Sequence, residues 1–218
     1  MVRRPFKSLP YAHDMNSASP RRGRPPVSTR PAIEATAFAL LLRDGYAATT
    51  VQAITDAAGV GRTTFFRYFG SKPGVVWAEF DRAIERLREA LERVAAIDPM
   101  KAVQAAVVES TRQSRAASPE SWLDRFRVLD GDPALAGEAA AHWRLWAETI
   151  SAYVQRRVGS GLEPSLSAAI GGAVQAAYVE VLRAWATGDR GDVDLDDLRR
   201  ALQPLVVAFA TVIPAPPQ

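Results

Sequence analysis

The chain has 218 residues, 48% of them hydrophobic and 23% charged, which is the composition of an ordinary globular chain that can build a sizeable core. It contains no cysteine, which excludes disulfide scaffolds, thiolate metal sites and cysteine nucleophiles. The sequence shows neither an apolar run of about 18 residues nor an apolar stretch after its basic N-terminus. We therefore expect no membrane span, no secretory signal and a cytoplasmic protein.

Positive charge is concentrated at the front of the chain. Residues 1–72 carry eleven Lys and Arg against four Asp and Glu, whereas the remaining residues carry sixteen against twenty. A basic front joined to a mildly acidic back is typical of a nucleic-acid reader fused to a second module. A disordered basic tail has the same asymmetry, so charge alone leaves both interpretations open.

The front of the chain predicts three short helices. Residues 1–27 mix Pro, Ser, Arg and Asn without periodicity, and we expect them to form a disordered basic arm. Apolar residues at helical spacing then predict a first helix over residues 29–44. Thr50 can cap a second helix, and a third helix over 62–69 follows the link Gly59–Gly61. Two short helices with such a link predict a helix-turn-helix.

The back of the chain predicts six longer helices. Ser71 and Pro73 begin a fourth helix, whose apolar stripe reaches about Ala96. A capping residue followed by proline, or a glycine-rich link, separates the others. Their predicted ranges are 99–113, 119–129, 133–158, 164–187 and 195–213, and 214–218 is a loose tail. Since no alternating strand pattern is present, the predicted fold class is all-α.

The third predicted helix has two chemically different faces. At about 100° per residue, Phe65 and Phe69 point inward, and hydroxyl, guanidinium and aromatic groups point outward. Arginine can contact guanine edges or phosphates, threonine the thymine methyl group, and aromatic rings the sugars. Lys72 and the start of the second helix add a cation and backbone N–H groups for phosphates. The candidate DNA contacts are Thr50, Arg62, Thr63, Thr64, Phe66, Arg67, Tyr68 and Lys72.

The stretch GYAATTVQAITDAAGVGRTTFFRYFGSK at 45–72 resembles the N-terminal DNA-binding domain of the TetR family of bacterial transcriptional regulators. The layout of nine helices is similar to that of the whole family. The resemblance implies a homodimer whose recognition helices enter successive major grooves of a pseudo-palindromic operator. Two residues depart from the family pattern. Phe66 replaces the usual Tyr and loses a hydroxyl that reaches phosphate, and Gly61 replaces a Ser-like cap, which weakens the helix start by a few tenths of a kcal/mol.

The arm contains an arginine-rich segment around Gly23. Arg21–Pro26 reads Arg-Arg-Gly-Arg-Pro-Pro and is similar to an AT-hook. An extended arm of this kind can lay Arg22 and Arg24 in a narrow A·T minor groove. The alternative interpretation is a solvated basic linker.

The eighth and ninth predicted helices suit a helix-helix interface. The eighth is rich in Ala and Gly between 168 and 177, and small residues permit close approach of helices. The ninth presents an apolar side, and Pro204 is expected to bend it. The resemblance implies that both helices form the homodimer interface. Packing within one chain is the alternative.

Aromatic residues of the back half suggest a ligand cavity, although a tryptophan is more often a core residue. The family resemblance implies an effector cavity among these helices, and such cavities are apolar with a few polar groups. Residues 122–146 resemble TetR regulators related to the mycofactocin-associated regulator, a group linked to acyl-coenzyme A thioesters. An arginine pair beside an apolar tunnel would suit such a ligand. The candidate ligand contacts are Trp122, Arg125, Phe126, Arg127, His142, Trp143, Trp146 and Tyr178.

Catalysis has little support. The chain has two histidines, and no nucleophile elbow, P-loop or dinucleotide motif accompanies them. We expect no enzymatic activity, no cofactor and no metal site.

The sequence thus predicts a DNA-binding domain over 28–74 and a ligand-binding and dimerisation domain over 75–213. The expected function is a homodimeric transcriptional regulator, a repressor that a small apolar or amphipathic ligand, such as an acyl-coenzyme A, releases from DNA. An activator would use the same parts. Two other classes stay open, a DNA-architectural protein without a ligand site and an all-α small-molecule carrier with a basic tail.

Overall fold

A computed structural model describes residues 29–94, 98–119, 121–188 and 193–213 of the chain. These residues are all-α, which confirms the predicted fold class. The basic arm, including Arg22 and Arg24, and the tail at 214–218 lie outside the described residues. The helices are α1 (Arg30–Asp44), α2 (Val51–Ala58), α3 (Arg62–Phe69), α4 (Lys72–Arg93), α5 (Pro99–Ala117), α6 (Trp122–Gly131), α7 (Ala136–Val158), α8 (Pro164–Thr187) and α9 (Leu195–Ala210).

Side-chain caps begin most of the front helices where the sequence predicts them. Thr29, Thr50 and Ser71 each accept a hydrogen bond from the backbone N–H three residues later. Asp98 caps α5 in the same manner and accepts from Met100 and Lys101. These helix starts depend on local contacts, and local sequence therefore locates them well.

Several helix boundaries differ from the prediction by a few residues. The helix predicted from Pro133 begins at Ala136, because Asp132 bonds both the Ala134 N–H and the Tyr46 N–H, and a turn forms first. The helix predicted from 119 begins at Trp122. At the C-terminal ends, α4 and α9 are three residues shorter than predicted, and α5 is four residues longer.

The buried apolar side chains form two clusters. The larger cluster contains side chains from all six helices from α4 to α9, among them Leu87, Val107 and Ile150. The smaller contains the apolar faces of α1 to α3 and the start of α4, together with Val128, Leu129, Leu135 and Ala139 from α6 and α7. Phe80 and Trp143 pack against both clusters, so the front helices are buried against the back of the molecule. The domain limits at 28–74 and 75–213 stay a prediction.

The helix α8 is long and apolar enough to cross a membrane by length and composition alone, although the sequence analysis expected no such segment. Ala and Gly give it this composition without making it strongly hydrophobic. It packs against α6, α7 and α9. One side of α8 is thus packed in the bundle, with 39% of its apolar window buried, and core helices also pass the same test.

Candidate DNA interface and buried cavity

A tight turn joins α2 to α3. Gly59 ends α2 with a φ of 65°, a left-handed conformation that glycine adopts without strain. The Val60 N–H then donates to the Thr55 carbonyl oxygen at 3.0 Å. Because Gly61 has no side chain with which to cap α3, the packing of Phe65 and Phe69 holds this helix in place.

The two faces of α3 differ as predicted. Phe65 and Phe69 are buried, and this confirms that they point inward. On the other side, Arg62, Thr63, Phe66 and Arg67 are exposed, whereas Thr64 and Tyr68 are half-buried. The structure therefore exposes four of the six candidate contacts of α3, whereas Tyr68 packs against the smaller core cluster. Contact of these residues with DNA stays a prediction.

Two arginines of α3 lie beside aromatic rings of the same helix. The Arg62 guanidinium is 5.8 Å from the centre of the Phe66 ring, and the Arg67 guanidinium is 5.1 Å from that of Tyr68. Both distances permit a cation–π attraction, which limits the motion of these long side chains. Phe66 is 40% exposed, so the position that lacks a tyrosine hydroxyl presents an apolar ring to solvent.

Lys72 is more deeply engaged than the sequence suggested. Its Nζ donates to the Tyr46 carbonyl oxygen and lies 4.0 Å from the centre of the Tyr46 ring. Burial lowers the pKa of Lys72, and nearby Asp132 partly offsets this effect. Lys72 therefore holds the α1–α2 loop in addition to any contact with a phosphate. Asp132 also accepts from the Tyr46 N–H, and no local sequence signal indicates this contact between residues 86 positions apart.

A cavity of about 70 Å³ lies among α4, α5, α6, α7 and α8. Six of the eight candidate ligand contacts line it, namely Trp122, Arg125, Phe126, Trp143, Trp146 and Tyr178. The sequence analysis missed its other lining residues, which are Val76, Glu79, Phe80, Ala83, Ser114, Leu129 and Leu182. Four of these come from α4, the helix that follows α3 directly.

Arg127 and His142 do not line this cavity. Arg127 is two positions from Arg125 on α6, about 200° around the helix, and it donates instead to the Ala186 carbonyl oxygen and to Asp124. His142 stacks on Trp77 with ring centres 4.1 Å apart, and its Nδ1 is 2.9 Å from the Glu138 carbonyl oxygen. The predicted arginine pair beside an apolar tunnel is therefore absent from the described residues.

Stacked aromatic rings form one wall of the cavity. Trp146 and Tyr178 are parallel within 4°, with ring centres 5.0 Å apart. The Tyr178 hydroxyl is hydrogen-bonded to Thr111 at 3.1 Å. Burial raises the pKa of Tyr178 to about 12, so the phenol stays neutral at physiological pH. This wall is apolar, with one satisfied hydroxyl.

Buried ion pairs form a polar end of the cavity, where Arg125 and Glu79 line it. Arg125 Nη2 donates to Glu34 Oε2 on α1 at 3.1 Å, and Arg125 Nη1 lies 3.5 Å from Glu79 Oε2 on α4. Arg82 bonds both carboxylates, and Arg86 bonds Glu79 at 2.6 Å. Both glutamates are buried. Sequence reasoning missed Glu34, although an acidic residue on the apolar face of α1 is a signal that could have found it.

The sequence matches two known families over most of its length. Residues 33–78 match the bacterial regulatory proteins of the tetR family, and residues 97–210, more than half of the chain, match the MftR C-terminal domain. The chain belongs to the TetR family of bacterial transcriptional regulators. It is therefore a DNA-binding regulator and not an enzyme. Regulators of this family bind DNA operators and act as dimers.

One relative is a Mycobacterium tuberculosis protein named as mycofactocin biosynthesis transcriptional regulator MftR. It is 29% identical to this TetR-family chain over 140 residues, which are 64% of this chain and 70% of the relative. The match confirms the resemblance of the back half to this group.

Solved TetR-family structures share the fold. FadR of Bacillus halodurans, a fatty acid degradation regulator, is 18% identical with a TM-score of 0.59, covering 82% of this chain and 98% of that chain. FadR of Thermus thermophilus, a repressor solved in complex with lauroyl-CoA, is 23% identical with a TM-score of 0.52, covering 82% and 93%. PfmR, also of Thermus thermophilus, is 22% identical with a TM-score of 0.52, covering 83% and 98%. At these identities the likeness concerns the fold.

Proposed function

We propose that this TetR-family regulator is a repressor that binds a pseudo-palindromic operator and leaves it when a small apolar or amphipathic molecule enters the cavity. One observation carries the proposal. The helix α4 begins directly after the exposed face of α3 and contributes Val76, Glu79, Phe80 and Ala83 to the cavity wall. A ligand that moves this wall also moves the start of α4, and thus the DNA-binding surface. The proposed place of action is the cytoplasm.

The exposed face of α3 is the proposed reader of base edges. Arg67 is its cation for guanine, the threonines contact phosphates or the thymine methyl group, and Phe66 gives apolar contact. The N-terminus of α2 at Thr50, with Lys72, holds phosphates beside the groove. Arg22 and Arg24 of the arm are proposed to enter an adjacent minor groove.

The dimer is proposed to form through α8 and α9. Small side chains at 168, 169 and 176 of α8 are exposed in the single chain, and so are Val207 of α9 and Val212 just after it. Exposed apolar residues beside a stripe of small ones permit a close four-helix contact between two copies. Such a dimer sets the distance between the two α3 helices. To enter successive major grooves, which are one turn of DNA apart, the two helices must be about 34–36 Å apart.

An acyl-coenzyme A is one candidate effector, supported by the MftR-type back half and by the lauroyl-CoA complex of a structural neighbour. The cavity of about 70 Å³ is much smaller than the roughly 300–1,000 Å³ of a typical ligand site. An acyl chain therefore requires a more open conformation, and binding shifts the population toward that conformation. This selection is the proposed cause of release from DNA.

The test is binding of the purified protein to the DNA upstream of its own gene, measured by fluorescence anisotropy at two salt concentrations, with and without lauroyl-CoA. We expect specific binding that weakens as the salt concentration rises, because phosphate contacts release counterions. We also expect lauroyl-CoA to release the protein from this DNA. Specific binding without any effect of the thioester would support the regulator function but exclude lauroyl-CoA as the effector. Binding without sequence preference would favour the architectural alternative.

A further inference from the structure

The polar end of the cavity holds a guanidinium with unused hydrogen-bond donors. The Arg125 side chain is only 7% exposed, and its Nε and Nη1 atoms have no hydrogen-bond acceptor among the described residues. The 3.5 Å from Nη1 to Glu79 Oε2 is too long for a good N–H···O hydrogen bond. Native proteins seldom leave buried donors of this kind unsatisfied. The cavity thus lacks an acceptor at this end.

The charge around Arg125 favours an anion. The groups that face it are Arg82, Arg86, Glu79 and Glu34. Since Arg30 also pairs with Glu34, four guanidinium groups share two carboxylates, and positive charge is in excess. Burial lowers the pKa of Arg125, and the two glutamates oppose that effect. A further negative group here would stabilise the buried cation, because charge interactions are strong away from water.

The rest of the cavity suits an apolar body. Trp122, Phe126, Trp146 and Leu182 line it, and Tyr178 is neutral. We propose that the effector is an organic acid with a free carboxylate on an apolar chain or ring, and that Arg125 binds the carboxylate. Ser114 Oγ accepts from Arg86 at 3.2 Å and can donate its own proton to the same carboxylate. A coenzyme A thioester has no such charged group at the acyl end, and the described cavity wall holds no second arginine for its phosphates.

The carboxylate would bind the Nε and Nη1 donors of Arg125, and its negative charge would weaken the pairing of Glu34 with Nη2 of the same guanidinium. Glu34 belongs to α1 of the DNA-binding front and keeps two other partners, Arg30 at 3.3 Å and Arg82 at 3.1 Å. A weaker pairing with this third partner would loosen the contact of α1 with α6, while Arg30 and Arg82 still hold Glu34. This link to DNA rests on the proposed function, whereas binding of the acid by Arg125 does not.

The test compares decanoate with decan-1-ol and decanoyl-coenzyme A by isothermal titration calorimetry on the full chain without DNA. We expect decanoate to bind at least about tenfold more tightly than the alcohol, as a charge-assisted hydrogen bond provides. Arg125→Gln should abolish this preference, and Arg127→Gln on the outer face of α6 should preserve it. Equal affinities for acid and alcohol in the unchanged protein would overturn the proposal.

Glu34→Gln gives an independent test, since it removes the competing charge without touching the cavity wall. We expect decanoate to bind about threefold or more tightly to it than to the unchanged protein, with alcohol binding unaltered. Weaker or unchanged acid binding contradicts the proposal, even if Arg125→Gln fails to fold. If the protein does not bind decanoate but dissociates from its operator when decanoyl-coenzyme A is added, this inference alone is refuted. A protein that binds decanoate but no operator refutes the proposed function alone.

Discussion

Single charged residues connect the DNA-binding front to the rest of this regulator. Glu34 of α1 pairs with Arg125 of α6, and Asp132 beyond α6 bonds the Tyr46 N–H of the α1–α2 loop. Both contacts are partly or fully buried, so the loss of Glu34 or of Asp132 would leave a donor of Arg125 or of Tyr46 without its acceptor. These residues hold the recognition helix at a defined position relative to the cavity.

Arg67 and Lys72 are expected to differ in how they affect DNA binding. Arg67→Ala should cost about 1–3 kcal/mol on the cognate operator and relax its sequence preference, because this exposed arginine of α3 is the proposed reader of a base edge. Lys72→Ala should weaken binding to all sequences and lower the salt slope by about one, because Lys72 is the proposed phosphate contact. Anisotropy titrations against the operator and a scrambled duplex at several salt concentrations measure both effects.

Arg88→Ala is the matched control for these variants. Arg88 is exposed on α4, is paired with Glu85 and lies away from α3, so we expect unchanged DNA binding. If Arg67→Ala lowers affinity for both duplexes equally, Arg67 contacts phosphate and not a base.

At the scale of elements, α7 and α8 approach closely at one glycine. A Cβ atom added to Gly171 would lie 2.4 Å from the Ala147 carbonyl oxygen and 2.2 Å from Ser151 Oγ, whereas one added to the adjacent Gly172 meets nothing within 4 Å. The sequence predicted a small-residue helix here, but it did not distinguish these two glycines.

Gly171→Ala is therefore expected to lower the free energy of unfolding by about 1–3 kcal/mol, the usual effect of overpacking. Gly172→Ala should leave it unchanged or raise it by up to about 1 kcal/mol, because alanine favours a helix. Urea titrations followed by circular dichroism compare the two variants. Equal effects of both substitutions would show that α7 and α8 do not pack as described.

At the scale of the whole molecule, the two apolar clusters meet at Phe80 and Trp143, whose ring centres are 4.7 Å apart. Both residues line the cavity. A ligand that enters it thus touches the junction of the two cores. Packed cores shift between discrete arrangements more readily than they deform, which supports the proposal that a small ligand repositions the front helices.

The proposed dimer gives a prediction for Val207, which is 60% exposed on α9 of the single chain. Val207→Arg should leave the helix content unchanged but shift the protein toward monomer, because it places a charge in an apolar contact. Leu145→Arg is the control, since Leu145 is 44% exposed on α7 beside residues of α4. Light scattering coupled to size-exclusion chromatography measures the mass of each. A dimer that survives the Val207 substitution would place the interface elsewhere.

Local sequence patterns were sufficient to predict the helical architecture and the exposed face of α3. Caps such as Thr50 and Ser71, the turn at Gly59 and the spacing of Phe65 and Phe69 act over a few residues, so the sequence alone locates them. The same holds for the aromatic residues of the back half, since six of eight candidate contacts meet at one cavity.

Tertiary structure decided which partner each polar side chain takes. Sequence reasoning treated Arg125 and Arg127 alike, yet one is buried against Glu34 from 91 positions away and the other faces the Ala186 carbonyl oxygen. His142 likewise stacks on Trp77 and does not line the cavity, although the sequence analysis predicted that it would. Such pairings depend on how distant helices pack, and neither spacing nor composition encodes the contact of residues that only the folded chain brings together.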